Sequence, residues 1–390
     1  MPSVTNARLI QVDALRGFAL LGILSVNIWA FADPYYASIS SNPAYTRSLD
    51  HGVRLLVALL FETKFYLLFS FLFGYSFTLQ MAAAERAEAA FVPRMLRRQL
   101  ALLALGLAHG ALLYYGEILS TYALLGLVLL AARNLSPARA RRWAIRLVVV
   151  ACSTWMILGV LQGLAGEASS ATNGDASDKL AAFSGSAWQT LQFHSLHLWE
   201  TLPALWLLQG PSALAMFLFG YAAGRQHWLA SPPAWKLQRL LKVTAPVGLF
   251  GALIYALAAA YAPGGGLETF AFGLGQLTAP LLTATYCLLM LALFNTPGGA
   301  RLCTLLAPLG KMALSNYLLQ SAVLGLLFTG YGAGWINQIE PWLLLPIAGV
   351  IFIGQMWLSA RWLRRHPYGP FEWLLRAVTL LAWPSWRRSE

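Results

Sequence analysis

Four ionisable side chains sit where the surrounding sequence is almost wholly apolar. Glu62 and Lys64 lie in the run LLFETKFYLLFSFLFGYSF (59–77), and His109 and Glu117 flank a Tyr-Tyr-Gly turn in GLAHGALLYYGEILSTYALLGL (106–127). At membrane depth such groups are costly and mark cavities, proton paths or substrate sites. An imidazole within reach of an acceptor can act as general base. A carboxylate can orient it, and a lysine or amide can stabilise a developing oxyanion. Residues two apart point about 200° away from each other on a helix, so Glu62 and Lys64 cannot neutralise one another. Plainer readings stand beside these. Glu62 and Lys64 can snorkel at the outer interface. His109 can make an interhelical hydrogen bond beside the Gly106-x-x-x-Gly110 face, and Glu117 suits a helix N-terminus.

A second set lies towards the opposite surface. Asp13 and Arg16, in VDALRGFALLG, are three apart on one helical face. They read either as a salt bridge where the first span meets the interface, or as one wall of an anion site completed by Arg364 and Arg365. Asn316 and Gln320 share a face in KMALSNYLLQS, and with Tyr317 and Asn27 they are candidates for binding substrate. The same polar groups could instead tie helices together. His194, His197 and Glu200 have the spacing of a metal face, which an interfacial amphipathic helix explains more simply. His51 beside Asp50 is a weaker outer candidate. Cys152, Cys287 and Cys303 have no metal-like spacing, and no phosphate-binding fingerprint follows Pro263–Gly266. No metal is expected.

The elements that must position these residues are membrane helices. The chain has 390 residues, 58% hydrophobic and only 11% charged, less than half the charge usual in a soluble domain. The net charge of +12 does not imply nucleic-acid binding, because the basic residues sit in short loops between apolar runs. About ten spans are expected: 15–32, 54–80, 98–115, 118–133, 146–165, 202–224, 243–261, 271–294, 311–330 and 341–361. With both termini cytoplasmic, the inner side takes every Lys and Arg except Arg47, Arg54, Lys64 and Lys179. The first run has signal-peptide character around Ala30-Phe31-Ala32 and is read as a retained first span. The fold class is therefore an all-α polytopic bundle. It divides into residues 1–165, an outer loop 166–201 with an amphipathic stretch, residues 202–365, and an inner-surface tail 366–390 with an amphipathic helix opened by Pro370. FLFGY occurs at 71–75 and again at 217–221, each before a proline and a basic cluster, which fits a parallel duplication.

DALRGFALLGILSVNI (13–28), ETKFYLLFSFLFGYSF (62–77), AHGALLYYGEILSTYALLGL (108–127), GKMALSNYLLQS (310–321) and YGPFEWLLRAVT (368–379) resemble the YeiB family of bacterial inner-membrane proteins. That family carries a C-terminal domain of unknown function and is grouped with transmembrane acyltransferases, among them the lysosomal glucosaminide N-acetyltransferase. The resemblance implies that Lys64, His109, Glu117, Asn316 and Gln320 stand at family-motif positions, with Glu117 where Asp is common. Only His51 could answer to the acetyltransferase's reactive histidine. The expected function is acyl transfer from cytoplasmic acyl-CoA, a co-substrate docked near Asp13 and Arg16, to an outer acceptor. His109 would be the base, Glu117 or Glu62 its orienter, and Lys64 or Asn316 the oxyanion donor. The alternative is a transporter or lipid-binding protein using the same charges. Expected partners are the bilayer, a lipid or acyl-chain ligand and a second copy of the chain.

Overall fold

The computed structural model describes residues 4–36, 42–165, 173–229 and 234–388, and among them there is no strand. The helices are α1 (Val4–Ala32), α2 (Ser48–Leu60), α3 (Lys64–Arg86), α4 (Phe91–Leu112), α5 (Leu119–Ala131), α6 (Pro137–Leu164), α7 (Asn173–Ser184) and α8 (Ala187–Ala204). They continue as α9 (Gly210–Arg225), α10 (Ala234–Tyr261), α11 (Gly266–Phe294), α12 (Pro297–Lys311), α13 (Ala313–Phe328), α14 (Pro341–Arg365) and α15 (Pro370–Leu380). Leu205–Gln209, after Pro203, forms a π-helical turn joining α8 to α9.

Seven stretches are long and apolar enough to cross a membrane: α1, α2–α3, α6, α8–α9, α10, α11 and α14. The pair α12–α13, bent by 78°, makes an eighth if it is one span. By length and composition the described helices thus fall short of the expected ten. The reasons are local. At 13 residues α5 is about 20 Å long against a hydrocarbon core of about 30 Å. In α4, Arg94, Arg97 and Arg98 crowd the first two turns. Residues 297–311, expected as an inner loop, form the additional helix α12. The expected outer loop contains α7 and α8, its residues 166–172 lying outside the described ones. One continuous core runs from Val12 to Leu375 and joins helices on both sides of that loop.

The two FLFGY segments meet. α3 and α9 cross so closely that a Cβ on Gly74 would overlap the carbonyl of Phe217, and one on Gly220 the carbonyl of Phe71. The first residue of each segment thus faces the glycine of the other. Phe73 stacks on Phe217 at 4.5 Å between ring centroids, and Gly224 abuts Thr78 one turn further on. Contact positions rise together along both helices, so they run parallel. Glycine is what permits this approach in lipid, where close packing replaces the hydrophobic effect as the driving force.

At the end taken as outer, Asp33 Oδ1 accepts from Asn42 Nδ2 at 2.8 Å and from the Tyr35 N–H at 2.9 Å. The same amide nitrogen of Asn42 donates to Asn337 Oδ1 at 2.8 Å. Lys179 from α7 donates to the Asp33 carbonyl at 3.1 Å. Burial pushes the Lys179 ammonium down to about 8, with Asp33 opposing the shift.

Candidate functional site

The helix expected over 54–80 is broken, and Glu62 sits at the break. Thr63 takes φ of 70°, a left-handed conformation that a β-branched residue adopts only under constraint. The turn swings the Glu62 carboxylate into a polar cluster. Oε1 accepts from Arg54 Nη1 at 2.5 Å and from the Tyr36 hydroxyl at 3.1 Å, while Oε2 accepts from the Tyr255 hydroxyl at 2.7 Å. Three elements besides its own hold Glu62: the segment after α1, α2 and α10. Arg54, Tyr36 and Tyr255 were not foreseen. Arg54 stood out only as one of the few cations assigned to the outer side, and the two tyrosines carry no sequence signal.

Lys64 has another task. Its Nζ donates to the Ala58 carbonyl at 2.7 Å, and Tyr286 donates to the Leu60 carbonyl at 2.8 Å. Both carbonyls belong to the last turn of α2, which has no intrahelical partner for them. Lys64 therefore caps α2, a placement suited to a cation at the negative end of a helix.

His109 and Glu117 are close, but they are not an open acid–base pair. Glu117 is fully buried, and its carboxylate accepts from the Leu119 and Ser120 N–H groups at 2.7 and 2.6 Å. It caps α5. His109 Nε2 pairs with Ser321 Oγ at 2.9 Å, and its Nδ1 lies 3.8 Å from Glu117 Oε2 with no hydrogen-bond partner. Tyr317 covers the imidazole, with ring centroids 5.1 Å apart. The expected meeting of Lys64, His109, Glu117 and Glu62 in one pocket is not what the structure has. Lys64 and Glu62 pack towards α2 and α10, whereas His109 and Glu117 pack towards α5 and α13.

Asn316 and Gln320 face one way, as their spacing requires, and they face α14. Asn316 Nδ2 donates to Ser359 Oγ at 2.9 Å, and Gln320 Nε2 donates to Gln355 Oε1 at 3.0 Å. Gln355 in turn donates to the Asn316 carbonyl at 2.9 Å. These amides bind α13 to α14 and line neither cavity described below. His51, Glu200, Arg364 and Arg365 are exposed, and His194 is buried against Phe183 and Tyr115. Among the described residues, no group of three His, Cys, Asp or Glu side chains could hold a metal ion.

At the end taken as inner, Asp13 and Arg16 pair at 2.6 Å, and Arg16 also donates to Ser76 Oγ. Arg98 and Lys311, not Arg364 and Arg365, complete the basic cluster with Arg16. Arg98 lies near Arg16, Arg376 and Glu372, and its buried Nε has no partner. Glu372 of α15 accepts from the Leu314 and Ser315 N–H groups at 2.7 and 3.0 Å and from Ser315 Oγ at 2.6 Å. It thereby fastens the surface helix to the start of α13. Burial raises the Glu372 carboxyl above its ordinary range, against the pull of the bonds from Ser315 and Leu314.

These clusters flank two cavities. The outer one, about 370 Å³, is lined by Glu62, Arg54, Tyr36, Tyr255, Asn27 and Gln276 among others. Gln276 Oε1 is buried without a partner. The inner one, about 180 Å³, is lined by Arg16, Arg98, Lys311, Glu372 and an apolar wall that includes Leu72, Phe69 and Tyr122. Ile23, Ile118 and Tyr317 line both cavities. The two chambers therefore adjoin at those three residues.

Residues 223–382 match a family model described as a protein of unknown function, DUF418. The chain is 29% identical to the uncharacterized protein YxaH of Bacillus subtilis (strain 168) over 399 residues, 98% of this chain and 96% of that one. It is 28% identical to the uncharacterized protein YeiB of Escherichia coli (strain K12) over 394 residues, 96% of this chain and 97% of that one. A third relative is the uncharacterized 39.9 kDa protein in the amylase 3' region of Bacillus acidopullulyticus, 29% identical over 97% of this chain and 95% of its own length. No solved structure matches. The likeness first seen in five motifs extends along the chain, and the relatives' names assign no activity.

Proposed function

We propose that this YeiB-like chain is an acyltransferase of the bacterial inner membrane, taking its acyl donor from the inner cavity and its acceptor from the outer one. The observation that carries this reading is the shared wall of Ile23, Ile118 and Tyr317. A donor on one side and an acceptor on the other can meet only there. The pair Arg16–Asp13, Arg98 with its unpartnered Nε, and Lys311 suit the phosphates of a donor such as acyl-CoA. At about 180 Å³ the inner cavity is too small for the whole donor: the thioester end lies along its apolar wall, the phosphates stay against Arg98 and Lys311, and the adenosine remains outside. No metal is needed for this chemistry.

The acceptor's hydroxyl or amine, held by Asn27 and the orphaned Gln276 carbonyl, attacks the thioester carbon. Its proton passes to Glu62, either directly or through Tyr36. The carbon–sulfur bond then breaks and the thiolate leaves; Glu62 gives its proton up to water, and a proton from water neutralises the thiolate, so that the acceptor's hydrogen is balanced by that of the released thiol. Glu62 replaces His109 as the proton acceptor because it lines the acceptor cavity and His109 lines neither. His109 is a positioning residue that fixes Tyr317.

The test uses purified protein in vesicles. Arg98→Ala is expected to weaken acyl-CoA binding by at least about tenfold, the scale of a lost charge-assisted hydrogen bond. Glu62→Gln should leave binding intact while lowering thioester turnover by roughly 10²–10⁴. Failure of the wild type to bind acyl-CoA would reject the reading. Proton-dependent solute uptake would then favour the second one, a carrier. The reciprocal crossing of the two FLFGY segments supports that alternative, since many carriers are built from paired repeats.

A further inference from the structure

A third cavity lies apart from the other two and shares no lining residue with either. It occupies about 480 Å³ between α3, α9, α10 and α11, and opens towards the inner ends of α6 and α9. Its walls are Leu68, Phe71, Met216, Phe219, Leu288 and similar apolar groups. The few hydroxyls along it are already engaged. Thr285 donates to Thr244 at 2.9 Å, and Thr283 donates to the Lys64 carbonyl at 3.0 Å. The interior thus offers a ligand no free polar group and suits a hydrocarbon chain.

The mouth is different. Arg141 and Gln226 stand at the rim. Arg139 and Arg142 on α6, and Arg239 and Lys242 on α10, are further exposed cations on the N-terminal turns of two helices that line it. None of these five cations forms an ion pair with a carboxylate among the described residues. A dry slot with Arg141 uncompensated at its rim, on helix ends that carry further cations, matches an anionic amphiphile at the inner surface of a membrane.

We infer that this cavity is a binding site for an anionic phospholipid of the inner leaflet, with one acyl chain between α3, α9, α10 and α11 and the phosphate against Arg141. The site is independent of the acyl-transfer reading. It lies behind the α3–α9 crossing, so an occupying chain braces the face of that crossing turned away from the two reaction chambers.

The full chain is reconstituted in phosphatidylcholine vesicles doped with a trace of phosphatidylglycerol bearing a photoreactive diazirine chain. Parallel vesicles carry the same chain on phosphatidylcholine. Crosslinks are mapped by mass spectrometry. They are expected to concentrate on residues 216–219 and 284–291, and to be about fivefold stronger for phosphatidylglycerol, the contribution of one cation near an anionic surface. Arg141→Ala should bring the two lipids level. Ala284→Trp, filling the slot, should move the label to the outside of the bundle. Crosslinks spread evenly over the lipid-facing helices of the wild type would overturn the proposal. So would equal labelling by the two headgroups, whatever the folding state of either variant.

Discussion

Tyr317 lies over His109 with their ring centroids 5.1 Å apart, and it is Tyr317, not His109, that faces both cavities. The histidine is therefore a buried prop. One nitrogen holds Ser321 and the other points at Glu117 across 3.8 Å. His109→Gln, which keeps a group able to bond Ser321, is expected to retain thioester turnover within about threefold. His109→Ala leaves Ser321 bare and should cost about 1–3 kcal/mol of stability. Turnover and thermal unfolding on the same two proteins separate propping from catalysis, because a catalytic base would lose turnover in both.

The α3–α9 crossing makes a sharper demand on packing. Gly74→Val or Gly220→Val places side-chain atoms inside the opposing backbone and should prevent folding, or cost more than about 4 kcal/mol. Gly349→Ala, where an added methyl meets nothing within 4 Å, is the matched control and should be silent. Monodisperse yield and unfolding temperature report the difference.

Lys179 gives a pH signature outside the spans. Its ammonium, beside Asp33, is held down to about 8 from 10.5. Between those values the unfolded chain binds more protons than the folded one, so stability rises with pH through that window. Asp33 and the nearby His194 are the other titratable groups facing it. The unfolding temperature of wild type minus that of Lys179→Met should accordingly increase by about 2 °C between pH 7.5 and pH 10. A flat or falling difference would contradict the burial of a titrating lysine there.

Glu372 anchors α15 to α13 through three hydrogen bonds. Only Leu375 and Ala377 of that helix are buried, and its other polar ties to the bundle are the Phe371 N–H to Ser315 Oγ and Arg97 to the Thr379 carbonyl. Glu372→Ala removes a cap worth about 1–2 kcal/mol. Hydrogen exchange should speed up together in residues 313–316 and 370–380. Faster exchange in α15 alone would show that the two helices are not coupled.

The membrane class was legible because apolar length and scarce charge are composition-level signals. The helix starts at Pro297, Pro341 and Pro370 show how differently local signals were read. Pro341 and Pro370 open helices where helices are expected, whereas Pro297 opens one between two expected spans, in a stretch whose Arg301 and paired glycines carry no apolar signal. The break at Thr63 could not be read, since no proline or glycine marks it. It depends on Lys64 and Tyr286 capping α2 from outside the turn. The same blindness affected the site. Glu62, Asn27, Tyr317, Asp13 and Arg16 were identified by type, but which titratable group faces a cavity depends on helix rotation. Lys64 and Glu117 were found for their charge and turn out to serve helix ends. Arg98 was lost among the basic residues that set orientation.

The central claim is that two chambers meet at a wall of Ile23, Ile118 and Tyr317. It is tested most directly by thiol accessibility in a chain whose three native cysteines are replaced by serine and which carries Asn27→Cys. A membrane-impermeant maleimide should label that thiol from the outer face only. With Tyr317→Ala added, it should also label from the inner face. Inner-face labelling while Tyr317 is intact, or none after its removal, would contradict the account.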